Sequence, residues 1–541
     1  MSRPDHVRAR PRISVLTPVH DTPADVLAAC LASVRDQTST DLEHVVVDDA
    51  SAAPHVRPQL EAAAAADPRV RVLRCETNLG IAGASGTALE AARGEIVALL
   101  DHDDLLAPTA LARVAEAFAS APDVDYVYSD EDVLTADGRR IEPFFKPDWS
   151  PERFRNQMYT CHLSAIRADL ARDVGGFRPG FDGAQDWDLV LRVTERARRI
   201  VHVPEVLYHW RIIETSVLAG EDVKPYAYDS ARRALTEHAA RVGIDADVVE
   251  QVPRGYFHLR RRHPVTPRVS IVVPTRGGEG VVWGLRRVMV VEAVRSIVER
   301  STWPDYEVLV VADADTPAEV LEEVVELGGG RVRVVPFDEP FHFSAKCNVG
   351  ASVATGDVLV FLNDDVEVID RDWLEVLVGF VREPDVGAAG LRLLFEDGRV
   401  QHAGHVYLGG NPGHLMFGQF PDSDKNRLAL SLDREVAGVT AACLAIRRDV
   451  FDRVGGFSLR YPSNYNDVDL SLKVRAAGFR IVVSAQAALY HFESVSRDPT
   501  VRPEELATLR DRWWSELHHD PYYNPNYGSS FDNYPLPVRY P

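Results

Sequence analysis

GASGTALEAARGEIVALLDHDD (Gly83 to Asp104) and SAKCNVGASVATGDVLVFLNDD (Ser344 to Asp365) decide how this chain folds. Each starts as a helical run of small residues, breaks at a glycine (Gly94, Gly356), continues as an apolar buried-strand run and ends in an acidic cluster. Helix followed by buried strand is the unit of an α/β layered domain, whose ligand crevice lies beyond the carboxyl ends of the strands. The acids fall at that crevice.

Outward from these stretches the chain is written twice. ISVLTPVHD (Ile13 to Asp21) answers VSIVVPTRG (Val269 to Gly277), and HVVVDDAS (His44 to Ser51) answers VLVVADAD (Val308 to Asp315). Further on, VGGFRPGFDGAQDWDLVLRV (from Val174) answers VGGFSLRYPSNYNDVDLSLKV (from Val454), and VLYHW (from Val206) answers ALYHF (from Ala488). The spacing between copies grows along the chain, so insertions separate them. With 541 residues, more than one core organises, the expectation is two tandem Rossmann-like α/β domains with mostly parallel sheets. Their bounds are expected as a tail 1–11, a first domain 12–223, a helical and extended connector 224–267, a second domain 268–518 and an irregular arm 519–541. The arm, rich in Pro, Tyr and Asn, is expected to lie over the second domain.

Lys plus Arg number 60 against 81 Asp plus Glu, a net charge of −21 that repels nucleic-acid phosphates and makes nucleic acid a poor partner. The five cysteines are scattered without a CxxC, which points to a reducing compartment and away from disulfides or a zinc site. No apolar run approaches the roughly 20 residues of a membrane span. The protein is therefore expected in the cytoplasm, soluble or held peripherally at the inner face of the membrane. The basic run Arg260-Arg261-Arg262 reads as a solvated face in preference to a lipid contact.

Asp101, Asp103 and Asp104 follow a buried strand, and carboxylates so close repel unless a cation joins them. Mg²⁺ or Mn²⁺ would take one or two of them and fill its shell with phosphate oxygens and water. For Asp104, capping the helix near Pro108 is an equal alternative. The second copy has Asn363 where Asp101 stands, then Asp364 and Asp365. Asp49 and Asp313, past the second strand of each copy, either contact a nucleotide or close an Asx-turn. Asp186 and Asp188 lie two residues apart, roughly 200° around a helix, so they cannot both face one cleft. Position alone favours Asp186 and Asp467 as helix caps. His209 and His491 recur near the ends of the two copies and are candidate metal ligands.

LTPVHD, VVVDDAS, LLDHDD and GFDGAQDWDLVLRV in the first copy, with VVPT, FHFSAKCNVG, FLNDDVEV, VQHAG, NDVDLSLKV and ALYHFES in the second, resemble family 2 glycosyltransferases of GT-A fold. The combination is similar to two-domain bacterial enzymes that build O-antigens, capsules and other cell-surface polysaccharides. That resemblance implies a divalent cation held by Asp101, Asp103 and His209 in one copy and by Asp365 and His491 in the other. It implies nucleotide-sugar contacts from Pro18, Asp48, Asp49 and Asp101, and from Pro274, Asp313, Asn363 and Asp364. Asp186 and Asp467 become the bases of an inverting transfer from a UDP-, GDP- or dTDP-sugar to a glycan or lipid-linked glycan acceptor. Asn363 and Ala312 depart from the pattern and weaken the second metal site. The competing readings are a nucleotidyltransferase, for which the Gly-rich basic phosphate loop is missing, and a copy that serves as a carbohydrate-binding or assembly module.

Overall fold

The computed structural model describes residues 12–212, 225–421, 429–492 and 503–528. In the first half, strands run in the spatial order Val70–Arg74, Leu42–Asp48, Ile13–Val19, Ile96–Leu99, Ser164–Arg167, Val124–Leu134, Arg199–Arg211, Leu105–Leu106. The first four pair in parallel, Ser164–Arg167 is antiparallel to both neighbours, and Val124–Leu134 pairs in parallel with Arg199–Arg211. In the second half the strands Val332–Phe337, Tyr306–Asp313, Val269–Thr275, Val358–Leu362, Cys443–Arg447, Val386–Leu394, Arg480–His491 and Val366–Val368 repeat that order position for position. The expected pair of α/β domains with parallel-rich sheets is present.

The glycine that breaks each deciding stretch has a steric reason. A Cβ on Gly94 would lie 2.7 Å from Ser14 N, and one on Gly356 would lie 2.7 Å from Ser270 N. In both copies the glycine N–H donates to that serine hydroxyl at 2.8 Å, and the serine donates to a buried glutamate (Glu43, Glu307) at 2.7 Å. This three-residue clasp sets the entry of the central strand, and with it the place where the acidic cluster emerges.

The growing spacing between copies traces to two insertions in the second domain. One is the hairpin Glu279–Val282 with Leu285–Val288; the other carries the hairpin His405–Leu408 with Asn411–His414. The connector forms a helix, Pro225–Arg241, and a hairpin, Ala246–Glu250 with Phe257–Arg261. Ala231, Leu235 and Phe257 join Trp187 and Leu191 in the first domain's core, so the connector is packed.

Two expectations are corrected here. Arg261 is buried, not solvated: its guanidinium bridges Glu152 (2.7 Å) in the first domain and Glu383 (2.6 Å) in the second, while Arg260 pairs with Asp372 and Arg262 with Asp245 and Asp247. Arg260 and Arg262 do lie at the surface, but Arg261 looks like surface only until its opposing acids, more than 100 residues away, are in place. The arm is the second correction, in part: Tyr522 and Tyr523 do pack on the second domain, against Arg475 and the cluster of Val400 and Leu430, but the arm does not stay there. Past Asp520, whose carboxylate accepts from Tyr407 N, it crosses to the first domain. There Asp148 N donates to Pro521 O at 2.8 Å, and Asn524 Nδ2 donates to Asp130 and to Lys146 O. Residues 529–541 lie outside the described residues. Among the described residues no helix is long and apolar enough to cross a membrane.

Candidate active sites

The parallel strands of the first sheet end together, with Val19 paired to Asp48 and Leu100 running on into the acidic turn. Asp101 and Asp186 line one cleft there, with Pro18, Ser85, His162 and Gln185. Asp186 sits in the first turn of the helix Gln185–Thr194, but the N-cap is Ala184, so the cap suggested by position is not its role. Its carboxylate accepts the neighbouring Trp187 N–H at 2.8 Å, and burial pushes its pKa up against the pull of His162. Asp188, on the other side of the helix, is fully buried between Arg178 and Arg192 and holds the fold. The two acids divide as the helical spacing requires.

Of the acidic turn, Asp104 is committed to structure, though not as a helix cap: it accepts from Tyr208 OH at 2.6 Å and Arg211 N at 2.7 Å. Burial, then Asp103 and Asp101, push its pKa well up. Asp103 is likewise raised, first by burial, against the pull of His102 (4.0 Å) and His162. Asp101, Asp104 and His162 bring one ligand atom each within 4.8 Å of one another. His209 is held through Nδ1 by Asp132 at 2.6 Å, the arrangement usual for an imidazole oriented by a carboxylate, but it is not among the residues that line this cleft. This donor set of carboxylates and imidazole, short of cations, fits a divalent ion.

Asp48 and Asp49 are both engaged. Asp48 accepts from Ser51 N (2.9 Å), an Asx-type turn, and Asp49 from Leu79 N (2.7 Å), which ties the second strand to the start of the helix Gly80–Ala91. In the second domain Asp313 is instead paired with Lys346 at 2.7 Å. Lys346 is fully buried and also donates to Thr275 O at 2.6 Å, one residue past Pro274. The only lysine in the helix Phe343–Val353 was a signal within FHFSAKCNVG that sequence reasoning passed over. His162 had no such signal, since only its strand pairing brings it to Asp101.

Asn363, Asp365 and His491 come together: His491 Nε2 lies 3.2 Å from Asn363 Nδ2 and 3.3 Å from Asp365 Oδ1. Register refines the match between copies. Leu105 lies across from His209 and Val366 across from His491, so by pairing Asp365 stands where Asp104 does, one residue off its alignment with Asp103. Asp364 accepts from Thr275 Oγ1 at 2.6 Å, and burial, then Asp365, push its pKa up to about 7. Asp467 occupies the first turn of the helix Asn466–Ala476, after an N-cap at Tyr465. It accepts from Val468 N at 2.8 Å and Ala441 N at 3.2 Å. Burial raises its pKa, but His405, the Thr440 hydroxyl and Ala441 N–H outweigh burial and hold it below the usual carboxylate value.

The family model described as Glycosyl transferase family 2 matches residues 14–175 and 270–455. The uncharacterized protein y4gI of Sinorhizobium fredii is 41% identical over 536 residues, 95% of this chain and 57% of that protein. O-antigen biosynthesis protein RfbC of Myxococcus xanthus is 40% identical over 528 residues, 96% of this chain and 40% of its own length. The chain thus spans about half the length of these relatives. Among solved structures, S. aureus TarS 1-349 in complex with UDP-GlcNAc is 22% identical over 42% of this chain and 66% of that one, with a TM-score of 0.35.

Proposed function

The chain belongs to glycosyl transferase family 2, and from that premise we propose that it moves sugars from nucleotide-sugar donors to a growing cell-surface glycan, with one active site in each domain. The observation that carries this is the recurrence, at the same edge of both sheets, of the end of an acidic turn facing a helix-borne carboxylate: Asp101 with Asp186, and Asn363, beside His491, with Asp467. Asp186 and Asp467 take the proton of an acceptor hydroxyl as it attacks the anomeric carbon, and the sugar inverts because attack comes opposite the leaving nucleoside diphosphate. Asp101, Asp103 and His209, and Asp365 with His491, would hold a Mg²⁺ or Mn²⁺ ion, which supplies charge stabilisation for the departing diphosphate. Pro18, Asp48, Asp49, Pro274, Asp313, Asn363 and Asp364 shape the nucleotide side of each cleft.

The name of RfbC supports O-antigen or related polysaccharide as the product class, and the TarS complex makes a UDP-sugar the first donor to try. A lipid-linked acceptor would bring the protein to the inner face of the membrane. The domain limits 12–223 and 268–518 are retained as part of this proposal. Asn363 in place of an aspartate favours one rival, in which the second domain binds glycan without transferring sugar. Release of nucleoside diphosphate from a donor panel, followed for wild type, Asp186→Asn and Asp467→Asn, separates the two. Loss of one transfer in each variant supports two active sites; loss of everything in Asp186→Asn alone leaves the second domain a binding module.

A further inference from the structure

VQHAG (Val400 to Gly404) leads into the hairpin of the second domain's insertion, of which only His405 has entered the site so far, through Asp467. Together they set His402, His405 and His414 with ring centroids 4.9 to 5.3 Å apart, the rings nearly perpendicular to one another. His405 and His414 line a cleft of about 270 Å³ with Asp467, Asn363 and His491. Among the described residues that line it, none is lysine or arginine. Amides, imidazoles and a single carboxylate suit an uncharged polyol, whereas a bare phosphate calls for cationic donors.

The protons of this cluster follow from one fixed point. A backbone N–H can only donate, so Thr440 N, 3.2 Å away, makes His402 Nε2 an acceptor. A neutral imidazole then carries its proton on the other nitrogen. His402 Nδ1–H donates to His414 Nδ1 at 2.7 Å, and His414 must carry its own proton on Nε2. Burial keeps both rings neutral, His402 with its pKa well below the ordinary value and His414 pushed down to about 3, in His414 with further help from His405. Among the described residues His414 Nε2 has no hydrogen-bond partner, so its N–H is available to whatever fills the cleft.

We propose that His414 is a fixed hydrogen-bond donor to a hydroxyl of an uncharged sugar bound beside Asp467, locked in its Nε2–H tautomer by the relay from Thr440 N–H through His402. It rests on the reading of the second domain as a sugar-handling site. His414 is the contact and His402 a positioning residue. The first copy has no counterpart of this hairpin among the described residues, so the subsite distinguishes what the second domain accepts. Three imidazoles are also a ligand set for a soft cation, but Thr440 already takes the lone pair of His402 that a metal-bound, singly protonated ring would have to free.

The test has two arms on the full chain. In ¹⁵N-histidine-labelled protein, the long-range ¹H–¹⁵N pattern should show His414 neutral, protonated on Nε2, and should lose that tautomer bias in His402→Phe. The opposite tautomer, or one unchanged in His402→Phe, overturns the relay whatever the activity. In the second arm, transfer is followed in an Asp186→Asn background, so that only the second site turns over. There His414→Phe should raise KM roughly tenfold or more, the loss expected when a buried polar partner goes unpaired, while His414→Gln, which keeps an N–H donor, recovers most of it. The substrate whose KM moves, acceptor glycan or donor sugar, identifies which one His414 reads. An unchanged KM in His414→Phe overturns the proposal. Absence of transfer in the Asp186→Asn background overturns the two-site reading and with it the sugar contact, leaving the relay to the first arm. Stoichiometric Zn²⁺ bound by wild type and lost in His414→Phe overturns the relay in favour of a metal site.

Discussion

Arg261→Met tests how the two domains are joined. Six buried groups meet at the interface: Glu152, Glu383 and Glu435 face Arg155, Arg261 and Arg480. These three acids meet three guanidiniums, with the more exposed Asp385 also on Arg480; methionine keeps the stem packed at Gly379 but removes the guanidinium over Phe380 and with it one positive charge. The magnitude follows from Glu152. Burial pushes its pKa up, but Arg261 and then Arg155 overcome burial and hold it at about 2, against an ordinary 4.5. That difference corresponds to about 3 kcal/mol of stability, within the range for breaking a buried pair. At about 2–4 °C per kcal/mol for domains of this size, Tm should fall by roughly 6–12 °C. The sign with pH is fixed: a depressed carboxyl stabilises the fold above pH ~4.5 and loses that contribution as pH falls toward 2. Calorimetry at pH 7.5 should show the full deficit, with the two domains' transitions drawn apart, and urea unfolding at pH 4 a smaller one. A deficit under about 1 kcal/mol at pH 7.5, or one equal at both pH values, refutes the argument that Arg261 neutralises buried acids.

Because burial raises the pKa of Asp186 while His405 and its neighbours lower that of Asp467, acidification should silence the first site before the second. Rate profiles of Asp467→Asn (first site only) and Asp186→Asn (second site only) check this, and coincident acid limbs would contradict it. Asp101→Ala with Asp103→Ala should abolish first-site transfer with the fold intact by circular dichroism, and excess EDTA should do the same; full first-site turnover in EDTA would end the metal argument. Lys346→Met leaves Asp313 without its buried cation, so nucleoside diphosphate affinity at the second site should change several-fold by calorimetry of Asp101→Ala/Asp103→Ala protein, while first-site affinity in Asp467→Asn protein stays put.

What could be read in the sequence was local and periodic. The helix-glycine-strand-acid unit needs only neighbouring residues, and Gly94 and Gly356 are required by contacts that recur in both copies. Asp188 was separable from Asp186 because helical geometry alone places them on different sides. What could not be read depends on partners far along the chain. Arg261 looks exposed until Glu152 and Glu383 are folded around it, and His162 reaches Asp101 only through the antiparallel Ser164–Arg167 strand. The one-residue register difference at Asp365 is likewise invisible to an alignment, which compares letters and not the strands they pair with.

The arm that crosses back over the first domain bears on the order of synthesis. Asp130, fully buried, accepts from His202 and Lys146 N, and its other donors, Asn524 and Asn526, lie 394 and 396 residues later. The first sheet leaves the ribosome with that carboxylate lacking both asparagine partners for as long as the second domain takes to be translated. At about 5–20 residues per second that wait is roughly 20–80 s. The last clasp on the earlier-made of these two domains therefore closes only after the second has emerged, which makes a nascent chain with that domain still open a stage of biogenesis.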